Sequence, residues 1–513
     1  MTAKNLRALL QVQSVRYKHK ICAIFPKDGT EISYTELAEK AENVAGFLAA
    51  KGVSSGSRIM ILAKRSKEGY LGYMGGIWQG SMVLWVDEKL TILEKKKLVK
   101  QYKADCIITD EHYASEAQLL QIHLPSLKLV LLSDAIDSNS VEFTFPEISE
   151  DDPAFCVYTS GSTGEPKGIV STHKNVLFGA KSLDVSLELT NTDRLLGVTP
   201  FSGTNGQVFT IWTVIFTGGS GVYYQGMFTP FTLFKQIDRY KTTWLNATPT
   251  YYSIIVKSGI KRRDVNIDSM KFVRTSSAPL PPSVQAAFES EFFLPMADSL
   301  GMSETGGQLF VNGRTLRKKG SVGKAVMVDF QIRSEDGNDI TTESANSKGE
   351  LGGELWVKCD GLMPGYLDDA EMTAKVIQDA WFNTGDLASV DSDGFVYLKG
   401  RKKDIAIIGG KNVSLKEVDE ILYEHPKVIN AISIAVPDEL SSNKIVACIQ
   451  INPKGPLSSK EELFHFFGQK VASFKCPKEF CLVNSFPLGG GGKILRAKVK
   501  EKYLQGAYDD SKL

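Results

Sequence analysis

The stretch YTSGSTGEPKG, residues 158–168, joins an apolar run to a loop of glycine, serine and threonine that ends in one lysine. The apolar run predicts a buried strand over 155–158. Glycine lets the backbone turn tightly, so that N–H groups can approach an anion closely. Lys167 adds positive charge, and the hydroxyl groups add donors. A strand that leads into such a loop predicts a phosphate site at the end of a strand in an α/β sheet.

This loop differs from the Walker A pattern, in which a lysine follows glycine directly and precedes serine or threonine. Here Pro166 precedes the lysine and Gly168 follows it. The order T-S-G-S-T-G-x-P-K-G is too specific for a generic surface turn. The candidate phosphate-binding residues of the loop are Thr159, Ser160, Gly161, Ser162, Thr163, Gly164 and Lys167.

Strand and helix patterns alternate through the first two-thirds of the chain. Residues 33–36 fit a capping box, and apolar residues then recur at helical spacing from Leu37 to Leu48, before Gly52. This alternation is typical of a largely parallel sheet covered by helices, so we predict an α/β fold. Short apolar runs predict buried strands over 59–63, 106–109, 129–132 and 155–158.

A domain boundary is predicted near residue 400. The segment DGFVYLKGRKKD, residues 393–404, ends a strand-like run with a glycine and a burst of charge. The remainder has the pattern of a small α+β unit, with a helix over 415–423 and strands over 431–436 and 445–449. The sequence therefore predicts a large domain over 1–400 and a small one over 401–513.

Composition excludes several classes of partner. The chain has 513 residues, of which 42% are hydrophobic, and its formal net charge is +1, so nothing indicates a nucleic-acid or anionic-membrane partner. No apolar stretch is long enough to span a bilayer. The seven cysteines are scattered, which argues against a disulfide framework or a zinc site and for a cytoplasmic protein. The final Ser511-Lys512-Leu513 would be a peroxisomal address in a eukaryote.

Four further motifs follow the first loop in a fixed order. They are SLGMSET (299–305), NTGD (383–386), GRKKDIAIIGGKNV (400–413) and GGKILR (491–496). Together with the loop at 158–168, they resemble the signatures of the adenylate-forming superfamily, which includes acyl-CoA synthetases. This resemblance covers most of the chain. It implies a large N-terminal domain of layered, helix-covered sheets and a small, mobile α+β C-terminal domain, with the active site between them.

The resemblance also implies a reaction in two halves. A carboxylate attacks the α-phosphate of ATP, which releases pyrophosphate and leaves an acyl-AMP; a thiol then displaces AMP. The leading interpretation is an acyl-CoA synthetase that uses ATP, Mg²⁺ and CoA with a fatty or aryl acid. The alternative is a stand-alone adenylation enzyme that loads an acyl carrier protein. A third hypothesis is a pseudoenzyme that binds nucleotide and acts as an interaction module. The acyl group and the oligomeric state stay open.

Roles carry over to the residues that match the motifs. Glu304 would hold Mg²⁺, Ser303 would contact phosphate, and Lys493 would bridge the α-phosphate and the acyl carboxylate. Asp386 would accept hydrogen bonds from the ribose hydroxyls, with Arg401 in support. The remaining candidates beside the nucleotide, apart from the first loop, are Ser277, Ala278, Pro279, Ser299 and Leu300.

Two residue groups are expected to move or to face the thiol. In the family the pivot falls two residues after the motif arginine, which is Lys403 here. Rotation about it would withdraw Lys493 and bring in Gly409, Gly410 and Lys411, where the small glycines leave room for a pantetheine arm.

The sequence departs from the family pattern at the acyl pocket and beside adenine. Phe201, Ser202 and Gly203 fall in the pocket motif, PFSGTNG (200–206), and Gly203 replaces the usual histidine. The glycine predicts a more open acyl tunnel or another way of holding the acid. Leu300 replaces the usual aromatic residue, so ATP is expected to lose a stacking partner. No aspartate matches the position that holds an α-ammonium group, which disfavours an α-amino acid.

Overall fold

The computed structural model describes most of the chain. The described residues are 3–122, 124, 126–137, 143–160, 166–226, 228–347, 352–408, 410–438, 442–451, 460–488 and 494–508. Several predicted site residues lie outside them: Gly161, Ser162, Thr163, Gly164, Gly409 and Lys493.

Strands and helices alternate from the first helix to about residue 300, as the sequence predicts. The helices are α1 (Leu6–Tyr17), α2 (Tyr34–Ala50), α3 (Lys67–Gln79), α4 (Ile92–Tyr102), α5 (Ala114–Ile122), α6 (Leu132–Asp137), α7 (His173–Leu187), α8 (Thr213–Thr217), α9 (Pro230–Tyr240), α10 (Pro249–Lys257), α11 (Pro282–Phe292), α12 (Thr341–Asn346), α13 (Ala370–Val376), α14 (Leu415–Glu424), α15 (Lys460–Gly468) and α16 (Arg496–Leu504). A π-helix spans Asn205–Trp212, and 3-10 turns span Arg262–Asp264, Ser303–Thr305, Lys402–Asp404 and Ser473–Lys475.

The strands of the described residues form five sheets. They are β1 (Ile21–Phe25), β2 (Thr30–Ser33), β3 (Arg58–Leu62), β4 (Met82–Trp85), β5 (Cys106–Thr109), β6 (Lys128–Leu131), β7 (Pro153–Ser160), β8 (Pro166–Thr172), β9 (Arg194–Gly197), β10 (Ser220–Tyr223), β11 (Trp244–Ala247), β12 (Phe272–Thr275), β13 (Met296–Met302), β14 (Gly307–Asn312), β15 (Lys324–Ala325), β16 (Asp329–Arg333), β17 (Gly353–Lys358), β18 (Ile377–Gln378), β19 (Trp381–Val390), β20 (Val396–Arg401), β21 (Ile405–Ile408), β22 (Lys411–Ser414), β23 (Val428–Asp438), β24 (Ser442–Ile451) and β25 (Glu479–Leu482).

Two mainly parallel sheets and the helices between them form the large domain. One sheet has the strand order β15-β14-β13-β12-β11-β9-β10-β1-β2, and the other has β6-β5-β3-β4-β7-β8. Apolar residues of α1, α2, α3 and α7 fill one continuous core between the two sheets. The outer face of the first sheet packs on α9, α10 and α11, and that of the second on α4 and α5. The predicted layered α/β class is confirmed.

A third sheet completes the large domain, and it is antiparallel rather than parallel. Its order is β16-β17-β19-β18, with β20 also paired to β19. The strand-like run predicted before Gly400 is β20 of this sheet; the other strands were not predicted, because they are half-buried or alternate and do not form continuous apolar runs. The predicted strand over 129–132 also lies one residue late, since Leu132 begins α6.

The start of α2 differs in detail from its predicted capping box. The Ser33 side chain accepts a hydrogen bond from the Glu36 N–H at 3.2 Å, so the predicted N-cap is present. The Glu36 carboxylate, however, pairs with Lys67 on α3 at 3.5 Å. A partner on a neighbouring helix therefore replaces the reciprocal half of the box.

The C-terminal residues form a small α+β unit that contacts the large domain. The three-stranded sheet β23-β24-β25 carries α14 and α15 on one side and α16 on the other. The Ser253 hydroxyl donates to the Ile429 carbonyl at 2.7 Å, and Lys498 of α16 lies 3.9 Å from Glu94 of α4. A boundary at residue 400 remains our proposal. Within the described ranges, no helix combines the length and apolarity needed to cross a membrane.

Candidate functional site

The sequence motifs converge where the parallel strands of the first sheet end. Strands β9, β11, β12 and β13 run parallel in adjacent positions, so their carboxyl ends share one edge. The segments that follow these ends include the pocket motif after β9 and Ser276–Pro279 after β12. Ligands of open α/β sheets bind at this edge. The side chains of these segments meet at that edge.

The SLGMSET motif ends in a 3-10 turn that presents Ser303 and Glu304. The Thr204 hydroxyl donates to the Ser303 Oγ at 2.9 Å, which ties the turn to the pocket motif. The Tyr366 hydroxyl donates to Glu304 Oε1 at 3.3 Å. The Met363 N–H also donates to the Glu304 carbonyl at 2.8 Å. Glu304 is thus fixed in position while its side chain stays half-exposed.

Tyr366 links Glu304 to the first loop motif. The Lys167 ammonium lies 5.1 Å from the centroid of its ring, and the Leu367 N–H donates to the Gly168 carbonyl at 2.7 Å. Burial and the Glu304 carboxylate raise the pKa of the Tyr366 phenol, so it remains a donor at physiological pH. Residues far apart in sequence are therefore joined into one site. Tyr366 was not among the predicted site residues, because it lies in a loop without a motif.

Asp386 and Arg401 form a second part of the same site. They are paired across β19 and β20, and Arg401 Nε lies 3.2 Å from Asp386 Oδ1. Asp386 is only 4% exposed. Lys403 is exposed, yet partial desolvation and the positive charges of Arg401 and Lys167 lower its pKa. Three cationic residues therefore concentrate positive charge here, which suits a polyphosphate.

The described part of the first loop frames the phosphate candidates. Thr159 pairs with Lys167, and Ser160 with Pro166, where β7 and β8 leave the sheet as a hairpin. Gly161, Ser162, Thr163 and Gly164 fall between these strands, outside the described residues.

The predicted thiol-side residues lie on the C-terminal hairpin of β21 and β22. Gly410 has φ +77° and open space where a Cβ would be built. The Lys411 ammonium lies 4.3 Å from the centroid of the Phe474 ring in the same unit. Gly409 lies outside the described residues. The contacts of Lys411 therefore place it on the C-terminal unit rather than beside Glu304.

The segment beside the predicted adenine site is held by the pocket motif. Asn205 Nδ2 donates to Ser276 Oγ at 3.1 Å and to Ser277 Oγ at 3.0 Å. Ser277 has φ +74°, a strained conformation that clusters at functional sites. Ala278 and Pro279 continue this segment. Leu300 is half-buried on β13 against the main core.

The predicted acyl pocket combines an aromatic wall with an opening. Phe201 is 2% exposed and contacts Trp85 edge-on, with ring centroids 5.2 Å apart. Ser202 Oγ is buried and has no partner among the described residues. Nothing lies within 4 Å of a Cβ built on Gly203. The missing histidine therefore leaves space at this position.

A buried polar network beyond that opening was not predicted. Arg274 at the end of β12 donates to Asn246, Ser276 and Ser299. A charged residue within the otherwise apolar run FVRT is the sequence signal that could have revealed it. The network lies beside Asn205 and so adjoins both the acyl and the nucleotide candidates.

The Asp298 carboxyl, which lies at this edge, should make the free energy of unfolding depend on pH. Burial raises its pKa to about 7, although Arg274 and Lys416 oppose the rise. In the unfolded chain the Asp298 carboxyl ionises at a lower pH than in the folded protein. The native state therefore loses stability as the pH rises from about 4 to about 7. Asp298→Asn removes this loss. The free energy of unfolding of the variant, relative to the natural protein, should rise by about 2 kcal/mol from about pH 5 to about pH 8.

Asp193→Asn is the control for this measurement. Burial raises the pKa of Asp193, but hydrogen bonds from Lys271, Thr190 and Thr243 outweigh it, so the net pKa is lowered. Its stabilising contribution is lost only as pH falls through that lowered value. Above about pH 5, its stability curve should therefore run parallel to that of the natural protein. A parallel curve for Asp298→Asn as well would contradict the assigned pKa.

Comparison with known proteins gives matches over nearly the whole chain. A family model described as AMP-binding enzyme matches residues 10–367, and one described as its C-terminal domain matches residues 417–493. The chain is 28% identical to a sulfoacetate–CoA ligase of Cupriavidus necator, over 96% of this chain and 97% of that protein. It is 27% identical to a long-chain-fatty-acid–CoA ligase of Bacillus subtilis, over 97% and 94%. The crystal structure of the anthranilate CoA ligase AuaEII with anthranoyl-AMP superposes with a TM-score of 0.91 at 23% identity, covering 99% of each chain.

Proposed function

The chain belongs to the AMP-binding enzyme family, and we propose that it is an AMP-forming acid–CoA ligase. One observation carries the proposal. Glu304 and Lys167, which come from separate motifs, both contact Tyr366, and Lys403 extends this set to the Asp386–Arg401 pair. The three cations suit the phosphates of ATP, the Glu304 carboxylate suits its Mg²⁺, and the buried Asp386 carboxylate suits its ribose hydroxyls.

The proposed reaction has two balanced steps. A carboxylate oxygen of the acid attacks the α-phosphorus, the bond to the β-phosphate breaks, and pyrophosphate leaves. The CoA thiolate then attacks the carbonyl carbon of the acyl-AMP, and AMP leaves with that oxygen. Both steps concentrate negative charge, so cationic groups and fixed donors supply most of the rate enhancement. Lys167 and Arg401 would perform that role in both steps, and Lys493 in the first step.

The residues around Glu304 fit a magnesium ion shared with the nucleotide. Among the described residues, no group of three or more histidine, cysteine, aspartate or glutamate side chains could hold a metal alone. Mg²⁺ is usually held by one or two carboxylates together with substrate phosphates. Glu304 supplies such a carboxylate and keeps it half-exposed. Bound Mg²⁺ would neutralise phosphate charge.

Product analysis identifies the acyl acceptor and the acid. Purified protein is incubated with ATP, Mg²⁺ and a panel of carboxylic acids, with and without CoA, and AMP, pyrophosphate and thioester are quantified. Multiple turnovers only with CoA are expected. A single burst that CoA does not relieve would identify a carrier protein as the acceptor. Formation of ADP in place of AMP would contradict the proposal.

Lys403→Pro should slow the thioester half-reaction selectively. Lys403 lies in the 3-10 turn between β20 and β21, where the proposed domain rotation would change the backbone dihedrals. Proline fixes φ and removes the N–H. The thioester rate should fall by about tenfold or more, because a displacement on the order of 1 Å can cost about a hundredfold.

Lys403→Ala is the matched variant for this test, since it removes the same ammonium group without fixing φ. Single-turnover rates of both half-reactions are measured for the two variants. Equal slowing of both steps by proline, or the same profile for alanine, would refute a pivot at this position.

A further inference from the structure

Arg274 is a buried cation with neutral hydrogen-bond partners. It is 1% exposed at the end of β12. Nη1 donates to Asn246 Oδ1 at 2.8 Å and to Ser276 Oγ at 3.0 Å, and Nη2 donates to Ser299 Oγ at 2.8 Å. A buried charge is strongly destabilising unless an opposite charge compensates it. This arrangement therefore retains an arginine at a cost in stability.

The unused donors of Arg274 lie on one edge of its guanidinium. A guanidinium has five N–H donors, and the three bonds above use both protons of Nη1 and one of Nη2. Nε is buried and has no partner among the described residues. The Nε–H and the second Nη2–H together form the edge that binds a carboxylate through two parallel hydrogen bonds. A buried donor without a protein partner needs an acceptor from elsewhere, such as an ordered water or a ligand.

The surroundings of Arg274 carry an excess of positive charge. Asp298 is the acidic group that acts on Arg274 electrostatically, yet burial raises the pKa of Asp298 to about 7, so part of it is neutral near neutral pH. The ammonium of Lys416 also acts on Asp298. An anion bound here would supply the missing countercharge.

Arg274 adjoins the segment that carries the predicted acyl-pocket residues. Asn205 lies 3.5 Å from Nη1 through its Oδ1, and it follows the open position at Gly203 by two residues. The Phe209 ring lies 4.4 Å from the guanidinium carbon and closes the far side. Ser276 is only two residues further along the chain, or about 7 Å at the rise of an extended segment. An acid that reacts beside the nucleotide candidates and also reaches Arg274 must therefore be short.

We infer that the acid is a short one with a second anionic group, carboxylate or sulfonate, which binds Arg274 while the first carboxylate reacts. This inference rests on the proposed function. A fatty or aryl chain at this position would leave the buried Nε–H of Arg274 without a hydrogen-bond acceptor. A second anionic group would instead complete the donor edge and be selected by it.

Matched acid pairs test the inference on the natural protein. Acid-dependent ATP–pyrophosphate exchange is measured with malonate against propionate, succinate against butyrate, and 3-sulfopropionate, with decanoate and ferulate as larger monoacids. We expect one diacid or the sulfonate to exceed its matched monoacid by about a hundredfold or more in kcat/KM, as for a site built to bind a polar group. The better of the carboxylate and sulfonate arms identifies the anion.

Two variants tie that preference to Arg274. Arg274→Gln keeps an amide donor and removes the charge, and it should bring the ratio of diacid to monoacid close to one. Arg274→Lys keeps the charge and should restore part of the ratio. Arg194→Gln is the control, since Arg194 begins β9 at the opposite, amino-terminal edge of the parallel strands and donates to the Tyr240 carbonyl at 2.7 Å. Its ratio should match that of the natural protein.

The outcomes separate this inference from the proposed function. Exchange that favours butyrate, decanoate or ferulate over the matched or shorter diacids would overturn the inference and leave the ligase proposal standing. A diacid preference that Arg274→Gln retains would also overturn it. Absence of exchange with every acid would overturn both. If the variants fail to fold, the acid pairs on the natural protein decide alone.

Discussion

Lys493→Ala should slow acyl-AMP formation by about a hundredfold or more, as for the loss of one preorganised charge stabiliser. Thioester formation from supplied acyl-AMP should change little, because the proposed second state holds this lysine away from the reacting carbonyl. The role of Lys493 comes from its motif, since the residue lies outside the described part of the chain. Rapid-quench measurement of each half-reaction gives the two rates separately.

Lys502→Ala is the control for this variant. Lys502 lies on α16, nine positions further along, and its side chain is exposed. Both of its rates should match those of the natural protein. Equal loss of the two half-reactions in Lys493→Ala would contradict a lysine that acts in one state only.

Glu304→Gln should slow acyl-AMP formation by about a hundredfold and raise the Mg²⁺ concentration needed for half-maximal rate. Glutamine keeps the shape and can still accept from the Tyr366 hydroxyl, so the change isolates the negative charge. High Mg²⁺ should recover part of the rate. A magnesium titration of pyrophosphate release measures both effects.

Two variants give this result its reference points. Glu371→Gln makes the same change on exposed α13, where Glu371 pairs with Lys375 one helical turn away, and should leave the titration unchanged. Tyr366→Phe removes the hydroxyl that donates to Glu304 and should slow the reaction by about tenfold, the lower value for one hydrogen bond to a charged group. An unchanged magnesium requirement in Glu304→Gln would refute its assignment.

Sequence patterns predicted those elements that local chemistry determines. Strand β5 matches its predicted bounds, because burial on both faces gives a continuous apolar run. Helix α14 begins at the predicted residue, because burial on one face gives apolar residues at helical spacing. The half-buried strands of the third sheet leave a weaker pattern. The π-helix after the pocket motif follows neither helical nor strand spacing, so it was not predicted.

The motifs predicted which residues would share a site, but not what surrounds them. Glu304, Asp386 and Arg401 occupy recognisable patterns, whereas Tyr366 and Arg274 do not. Arg274 meets Asn246 only because β11 and β12 are in register, and that register is a tertiary property. The sequence therefore predicted the candidate nucleotide-binding residues but not the buried polar network around Arg274.

The central claim is that acid activation passes through an acyl-AMP, and oxygen transfer tests it most directly. The acid is labelled with ¹⁸O in its carboxylate and incubated with ATP, Mg²⁺, CoA and protein, and the products are analysed by mass spectrometry. Because the attacking oxygen stays with the α-phosphorus when the thiol displaces AMP, one ¹⁸O should appear in AMP and none in pyrophosphate. Label in inorganic phosphate accompanied by ADP, or unlabelled AMP, would contradict the account.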